Sequence, residues 1–189
     1  IEPAKPASKI SKSKGINTIQ AFFNLQTINK HSLNKKNFHL IVANNVFANI
    51  DNINSWMRNI KKILSPDGVF VFESSYLYDV VFNNVFDFIY HEHLSYFSVT
   101  SVKKLCEKHD LKLFDLDHIS TKGGSIRYYI SKNKNKKINN SIQNYLNKEK
   151  KFKLFNKSTY LKLKTKINNQ KNKLKHFIKF NQKKNIIGF

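Results

Sequence analysis

Apolar and polar positions follow more than one rhythm along this chain. Two short runs are almost continuously apolar, FHLIVA (Phe38–Ala43) and GVFVFE (Gly68–Glu73). Runs so rich in β-branched and aromatic residues predict strands buried within a sheet. Between them Ile53, Trp56, Met57, Ile60, Ile63 and Leu64 recur at helical spacing. Asp51 is placed to cap that helix, and Ser65-Pro66-Asp67-Gly68 is placed to turn the chain at its end. Strand, helix, turn and strand at this spacing form a βαβ unit, which implies parallel strands. Further on, Val102, Leu105 and Cys106 predict a helix from Ser98 or Thr100 to about His109. LKLFDLDHI (Leu111–Ile119) and SIRYYIS (Ser125–Ser131) predict two strands, antiparallel because the loop holding Gly123 and Gly124 is so short. The segment between Ser75 and Ser98 shows no clear period and is expected to be irregular or loosely helical.

After Ser131 the rhythm thins. Ile142, Tyr145, Leu146, Leu161 and Leu163 stand apart in a background of Lys and Asn. They predict two long helices leading into a strand at 185–189. The expected organisation is a partial α/β sheet domain over 1–131, followed by 132–189 as the helical opening of a second domain.

Charge follows the same division. Residues 1–131 hold 16 Lys and Arg against 11 Asp and Glu, a net of +5, whereas 132–189 hold 18 Lys against one acid, Glu149, a net of +17. A net charge of +22 invites a nucleic-acid partner. The basic half contains no arginine, the better residue for bidentate phosphate contact. Abundant Lys, Asn, Ile and Phe beside scarce Gly and Pro also suit codons rich in A and T, so compositional drift and solvated helix faces weigh against nucleic acid. No apolar run approaches the roughly 18 residues of a membrane span, and no membrane partner is expected. The single cysteine, Cys106, excludes an internal disulfide and any Cys-based zinc site, and suits a cytoplasmic location. The chain opens IEPAKP without Met and stops at NIIGF, so both ends read as cut from a longer protein.

The densest chemistry is YHEHLSYFS, Tyr90–Ser98, with two imidazoles, a carboxylate, two phenols and two hydroxyls in nine residues. HExH is not HExxH, so the two imidazoles do not meet on one helical face and no metal is expected. KGGSIR, Lys122–Arg127, is a second candidate: two glycines allow close approach to a ligand, and Lys122 with Arg127 can meet phosphate. A plain hairpin turn accounts for it as well.

VANNVFANIDNI, SPDGVFVFESSYL, FDFIYHEHLSYFS and KGGSIRYYIS occur in the order that resembles sugar C-methyltransferases, the class I S-adenosylmethionine-dependent enzymes that methylate nucleotide-linked deoxysugars. The resemblance is strong over 1–131 and looser to 189. It implies a Rossmann-like class I methyltransferase sheet, S-adenosylmethionine as cofactor and a nucleotide-linked keto-sugar as substrate. In that family a small zinc domain precedes the methyltransferase core, so zinc is expected only there. Neither that domain nor the Gly-rich cofactor loop falls within these residues, so this stretch alone is expected to bind cofactor feebly. The resemblance would make Glu2 the acid at the end of a strand that accepts from the ribose hydroxyls, and would set Asn44 and Asn45 beneath the methionine part. Glu2 can equally be a carboxylate at a helix start before Pro3, and the Asn pair can cap the next helix.

Methylation at carbon needs a base that removes a proton beside a ketone, and donors for the enolate oxygen. The resemblance assigns His93 as base, with Tyr90 and Glu92 holding the sugar. His91 is expected to be structural, pointing away in an extended segment. Tyr76, Tyr96, Lys122, Gly124, Ser125 and Arg127 are implied to line the substrate site. Three departures stand out: Asn49 where the family has His in VFAHI, Glu73-Ser74-Ser75-Tyr76-Leu77 where it has EVPYL, and Gln20-Ala21 where an acid precedes the Phe pair. The alternative is a degenerate methyltransferase-like binding protein whose basic tail contacts nucleic acid or an acidic partner. Which sugar is used, and the oligomeric state, are not legible.

Overall fold

The computed structural model describes residues 1–182 and 184–187. Its centre is a four-stranded sheet of order β1-β2-β4-β3, built from β1 (Phe38–Asn44), β2 (Leu64–Ser75), β3 (Lys112–Ile119) and β4 (Ser125–Ser131). β1 and β2 run parallel, and β4 pairs antiparallel with both β2 and β3. This is the expected sheet, parallel and closed by one antiparallel hairpin. Helix α3 (Ile53–Ile63) makes the crossover from β1 to β2, and α5 (Val99–Lys108) leads into β3. Before the sheet lie α1 (Lys5–Ser13) and α2 (Leu25–Lys30); a short α4 (Leu77–Phe82) follows β2. Helices α6 (Asn140–Phe152) and α7 (Lys157–Phe180) follow β4. Asn185–Ile187 form no strand, and the last two residues of the strand expected at 185–189 lie outside the described residues.

The departures from the sequence reading have local causes. The cap of α3 is Asn52, whose side chain accepts from the Ser55 amide, so the helix starts one residue later than an Asp51 cap would place it. Ser65-Pro66-Asp67-Gly68 is not the separate turn expected between the helix and the second strand. It is an excursion inside β2, where Phe38 pairs with Leu64 and Leu40 already pairs with Val69. FHLIVA is a strand but not a buried one: β1 is the sheet's edge, with Leu40 60% and Val42 55% exposed.

Side chains alternate across the sheet, and one face collects the core. Phe70 and Phe72 of β2, Ile126, Tyr128 and Ile130 of β4, and Leu113 and Leu116 of β3 are all buried there. Met57 and Ile60 of α3 and Val102 and Cys106 of α5 close over them. Ile142 and Leu154, from α6 and the loop after it, and Leu163 of α7 belong to this same core. The Lys-rich half is therefore packed onto the sheet at its start, while Leu174, Phe177 and Phe180 near its end stay exposed.

The turn between β3 and β4 tests how tightly this arrangement is set. Gly124 has φ +118°, and a Cβ there would lie 2.2 Å from Asp79 Oδ2. Gly15 has φ +76° with open space around it. Gly124→Ala should therefore destabilise the fold by more than the roughly 1–3 kcal/mol of backbone strain alone, and Gly15→Ala by no more than that. Urea midpoints that fell equally for the two variants would contradict this.

Candidate active site

The carboxyl ends of β1 and β2 and the β3–β4 turn lie at one edge of the sheet. Register fixes this: Asn44 pairs with Glu73, and Ser75 pairs with Ser125, which pairs with Ile119. In open α/β sheets that edge carries the ligand site. From it leaves the segment 76–98, and its last nine residues are the YHEHLSYFS run.

Three phenylalanines fasten that segment. Phe47 comes from a short 3-10 turn, Phe47–Asn49, after β1; Phe72 from β2; Phe97 from the run itself. Their ring centroids lie 4.2 Å (Phe47–Phe72), 5.4 Å (Phe47–Phe97) and 5.7 Å (Phe72–Phe97) apart, and all three are buried. Backbone bonds add to the attachment, because the amides of Leu94 and Ser95 both donate to the Ala48 carbonyl. The loop holding Asn49 and the loop holding His93 are thus one unit.

Within the run the backbone is turned rather than extended. His93 N donates to the Tyr90 carbonyl at 3.1 Å, which sets the two side chains on the same side with ring centroids 4.3 Å apart. The extended conformation expected for this stretch is thereby corrected: it is an i, i+3 turn that brings Tyr90 and His93 together. His93 Nδ1 lies 3.0 Å from the Phe88 carbonyl oxygen, and the Tyr90 hydroxyl lies 3.1 Å from Nε2. A carbonyl can only accept, so Nδ1 carries the hydrogen and Nε2 presents its lone pair, to which Tyr90 donates. Tyr96 donates to the same Phe88 carbonyl at 3.2 Å. His91 and Glu92 are exposed at the tip.

The other expected residues fall in several places. Asn44 ends β1 and is exposed; Asn45 takes a left-handed φ of +54° and donates its amide to the Glu73 carbonyl. Beside them an open groove of about 800 Å³ runs along β1, lined by Phe22, Phe23, Val42, Asn49, Asp51 and Trp56 among others. Ile1 and Pro3 also line it, on either side of Glu2. Glu2 itself is half-buried, and its Oε1 accepts from the Ala4 amide at 2.7 Å at the start of α1. Lys122 is exposed at the tip of the β3–β4 turn. Arg127 is held by Glu73, with its Nη2 2.8 Å from Oε2, and this ion pair raises the guanidinium pKa further. Ser125 is fully buried, as is Tyr76, whose hydroxyl donates to Glu149. Among the described residues no group of three His, Cys, Asp or Glu side chains is placed to hold a metal, and no helix is long and apolar enough to cross a membrane.

Two features were passed over in the sequence. Asp79 of α4, buried, lies 2.6 Å from His118 Nε2 on β3, against the bare backbone of Gly124. Glu149 of α6 is fully buried and accepts four hydrogen bonds. The second carried a signal, being the one acid among eighteen lysines. The first had none, since residues 79 and 118 meet only through the sheet.

Residues 1–116 match the family model described as a methyltransferase domain, and residues 120–189 match the C-methyltransferase C-terminal domain. C-methyltransferase NovU of Streptomyces niveus is 33% identical over 126 residues, covering 67% of this chain and 30% of NovU. The chain thus spans about a third of the length of that curated relative. Among solved structures, the CMeT domain of the citrinin polyketide synthase aligns with a TM-score of 0.44 at 15% identity over 69% of this chain and 38% of that one. M1.HpyAVI aligns with a TM-score of 0.36 at 10% identity over 58% of this chain and 49% of that one. By the family model that spans residues 1–116, more than half of its length, the chain belongs to the methyltransferase-domain family.

Proposed function

We propose that this chain is part of an enzyme that methylates the carbon beside the ketone of a nucleotide-linked deoxysugar, by way of an enolate. The observation that carries the mechanism is the His93 tautomer, with Nδ1–H tied to the Phe88 carbonyl and a lone pair presented at Nε2. The sugar class rests on the FDFIYHEHLSYFS run and its resemblance. The cofactor reading has two supports: the exposed amides of Asn44 and Asn45 at the strand ends, and the neighbouring groove that mixes aromatic walls with Asn49 and Asp51. Those groups suit an adenosyl moiety, which offers a flat ring and hydroxyl donors. When bound, S-adenosylmethionine supplies an electrophilic methyl carbon on a good leaving group.

This chain's own residues handle the proton. On substrate binding the Tyr90 hydroxyl leaves His93 Nε2 and turns its hydrogen to the ketone oxygen. The freed Nε2 lone pair takes the proton from the adjacent carbon, and the C–H electron pair becomes the enolate whose oxygen Tyr90 holds. The resulting imidazolium keeps its Nδ1–H bond to Phe88. The pair thus couples base and oxyanion donor in one switch of hydrogen bonds. Glu92, exposed beside them, can hold a sugar hydroxyl. Lys122, on the turn at the same sheet edge, is the available cation for the diphosphate, because Arg127 is engaged by Glu73.

In the full-length protein, His93→Asn should lower both methylation and exchange of the ketone-adjacent proton by about 100- to 10,000-fold. Cofactor affinity should change little, since the imidazole serves the sugar. His91→Asn should stay near the parent rate. A His93→Asn enzyme that methylates normally beside a dead His91→Asn would exchange the roles of the two imidazoles.

The Lys-rich helices call for a separate measurement. With their start packed into the core, they are expected to bind duplex DNA or RNA at physiological salt with Kd no tighter than roughly 1 μM and without sequence preference. Nanomolar, sequence-preferring binding would favour the nucleic-acid alternative instead.

A further inference from the structure

The segment 76–98 is a long loop with a narrow neck. At the neck Tyr76 bridges to Phe97, and Leu77 N donates to the Phe97 carbonyl at 2.8 Å. Both sides of this neck converge on one side chain from a different part of the chain, Glu149 of α6. Its Oε1 accepts from the Tyr76 hydroxyl at 3.0 Å and from Val99 N at 2.6 Å. Its Oε2 accepts from Thr100 N at 3.1 Å and from the Thr100 hydroxyl at 2.6 Å. Every partner is a donor, so the bonding is that of a carboxylate.

The placement suits the charge. Val99 and Thr100 open α5, and their amides have no partner inside the helix. Ser101 N is satisfied by the Ser98 side chain at 3.0 Å, in a reciprocal box with Ser98 N. Glu149 satisfies the other two, and the positive end of the helix favours its charge. A buried carboxylate is tolerated only when its oxygens are bonded in this way.

We propose that Glu149 is the clasp of the active-site loop: a positioning residue that fixes both strands of the neck, and through them the Tyr90–His93 turn. The Lys-rich C-terminal helices then act as a brace for the candidate site, and the single acid among them is the point of attachment. The clasp stands on geometry alone; only its effect on turnover rests on the methyl-transfer reading.

The test is hydrogen exchange of backbone amides together with steady-state kinetics, on the full-length protein. Glu149→Gln keeps the shape but presents an amide NH₂ to two donors. Amides of residues 85–96 should exchange at least about tenfold faster, in line with loss of local protection, while those of β2 and β4 stay as protected as before. For methyl transfer, kcat should fall roughly 10- to 100-fold with KM for the sugar within about threefold, as misplacement of a base predicts. Thr100→Val and Tyr76→Phe each remove one bond and should show the same pattern more weakly; they decide the matter if Glu149→Gln does not fold. Parent-like exchange across 85–96 in folded variants overturns the clasp. Faster exchange in a protein whose parent form methylates no keto-sugar keeps the clasp and rejects the enzymatic reading.

Discussion

The arrangement depends on three aromatic rings meeting in the core. Phe47, Phe72 and Phe97 come from three separate segments, and each belongs to a short motif with polar residues at its edge. Burying the rings forces those polar edges outward together at the end of the sheet. Large aromatic side chains bury more area than other apolar residues and also prefer defined ring geometries. Together with the Leu94 and Ser95 amides on the Ala48 carbonyl, the triad thus holds Asn49, Glu73 and the YHEH turn in fixed relation.

Around this core the polar groups divide into two kinds. Some are fully committed inside the protein: Glu149 to the neck of the loop, Asp79 to His118, Glu73 to Arg127. Others are bonded nearer the surface, above all His93, whose Nδ1 meets the Phe88 carbonyl and whose Nε2 meets the Tyr90 hydroxyl. Burial follows the same line, since Glu149 and Asp79 are shielded while Tyr90, His91 and Glu92 face solvent.

Two expected ligand groups are engaged by carboxylates of the chain itself. Tyr76 sits where a resemblance-based reading puts a substrate contact, yet its hydroxyl is buried against Glu149, and burial with that neighbouring carboxylate pushes its pKa well above the usual phenol range. Arg127 is neutralised by the carboxylate opposite it on β2. The second is a consequence of strand register, which pairs Glu73 with Arg127; the first follows from the packing of α6.

What the sequence determined by itself was local in character. Runs of β-branched and aromatic residues defined all four strands, helical spacing defined α3 and α5 to within a residue or two, and the short Gly123-Gly124 loop made the last pair antiparallel. These depend on backbone geometry and on neighbours a few residues away. The YHEHLSYFS run also marked a candidate site by the density of its functional groups. Tertiary structure decided the rest. That the Asn49 loop meets the His93 loop, and that Glu149 reaches Val99 some fifty residues away, follow from long-range packing. A one-dimensional pattern shows which side chains must be buried, but not which buried groups will meet, since that choice is made by sheet register and by the shape of the core.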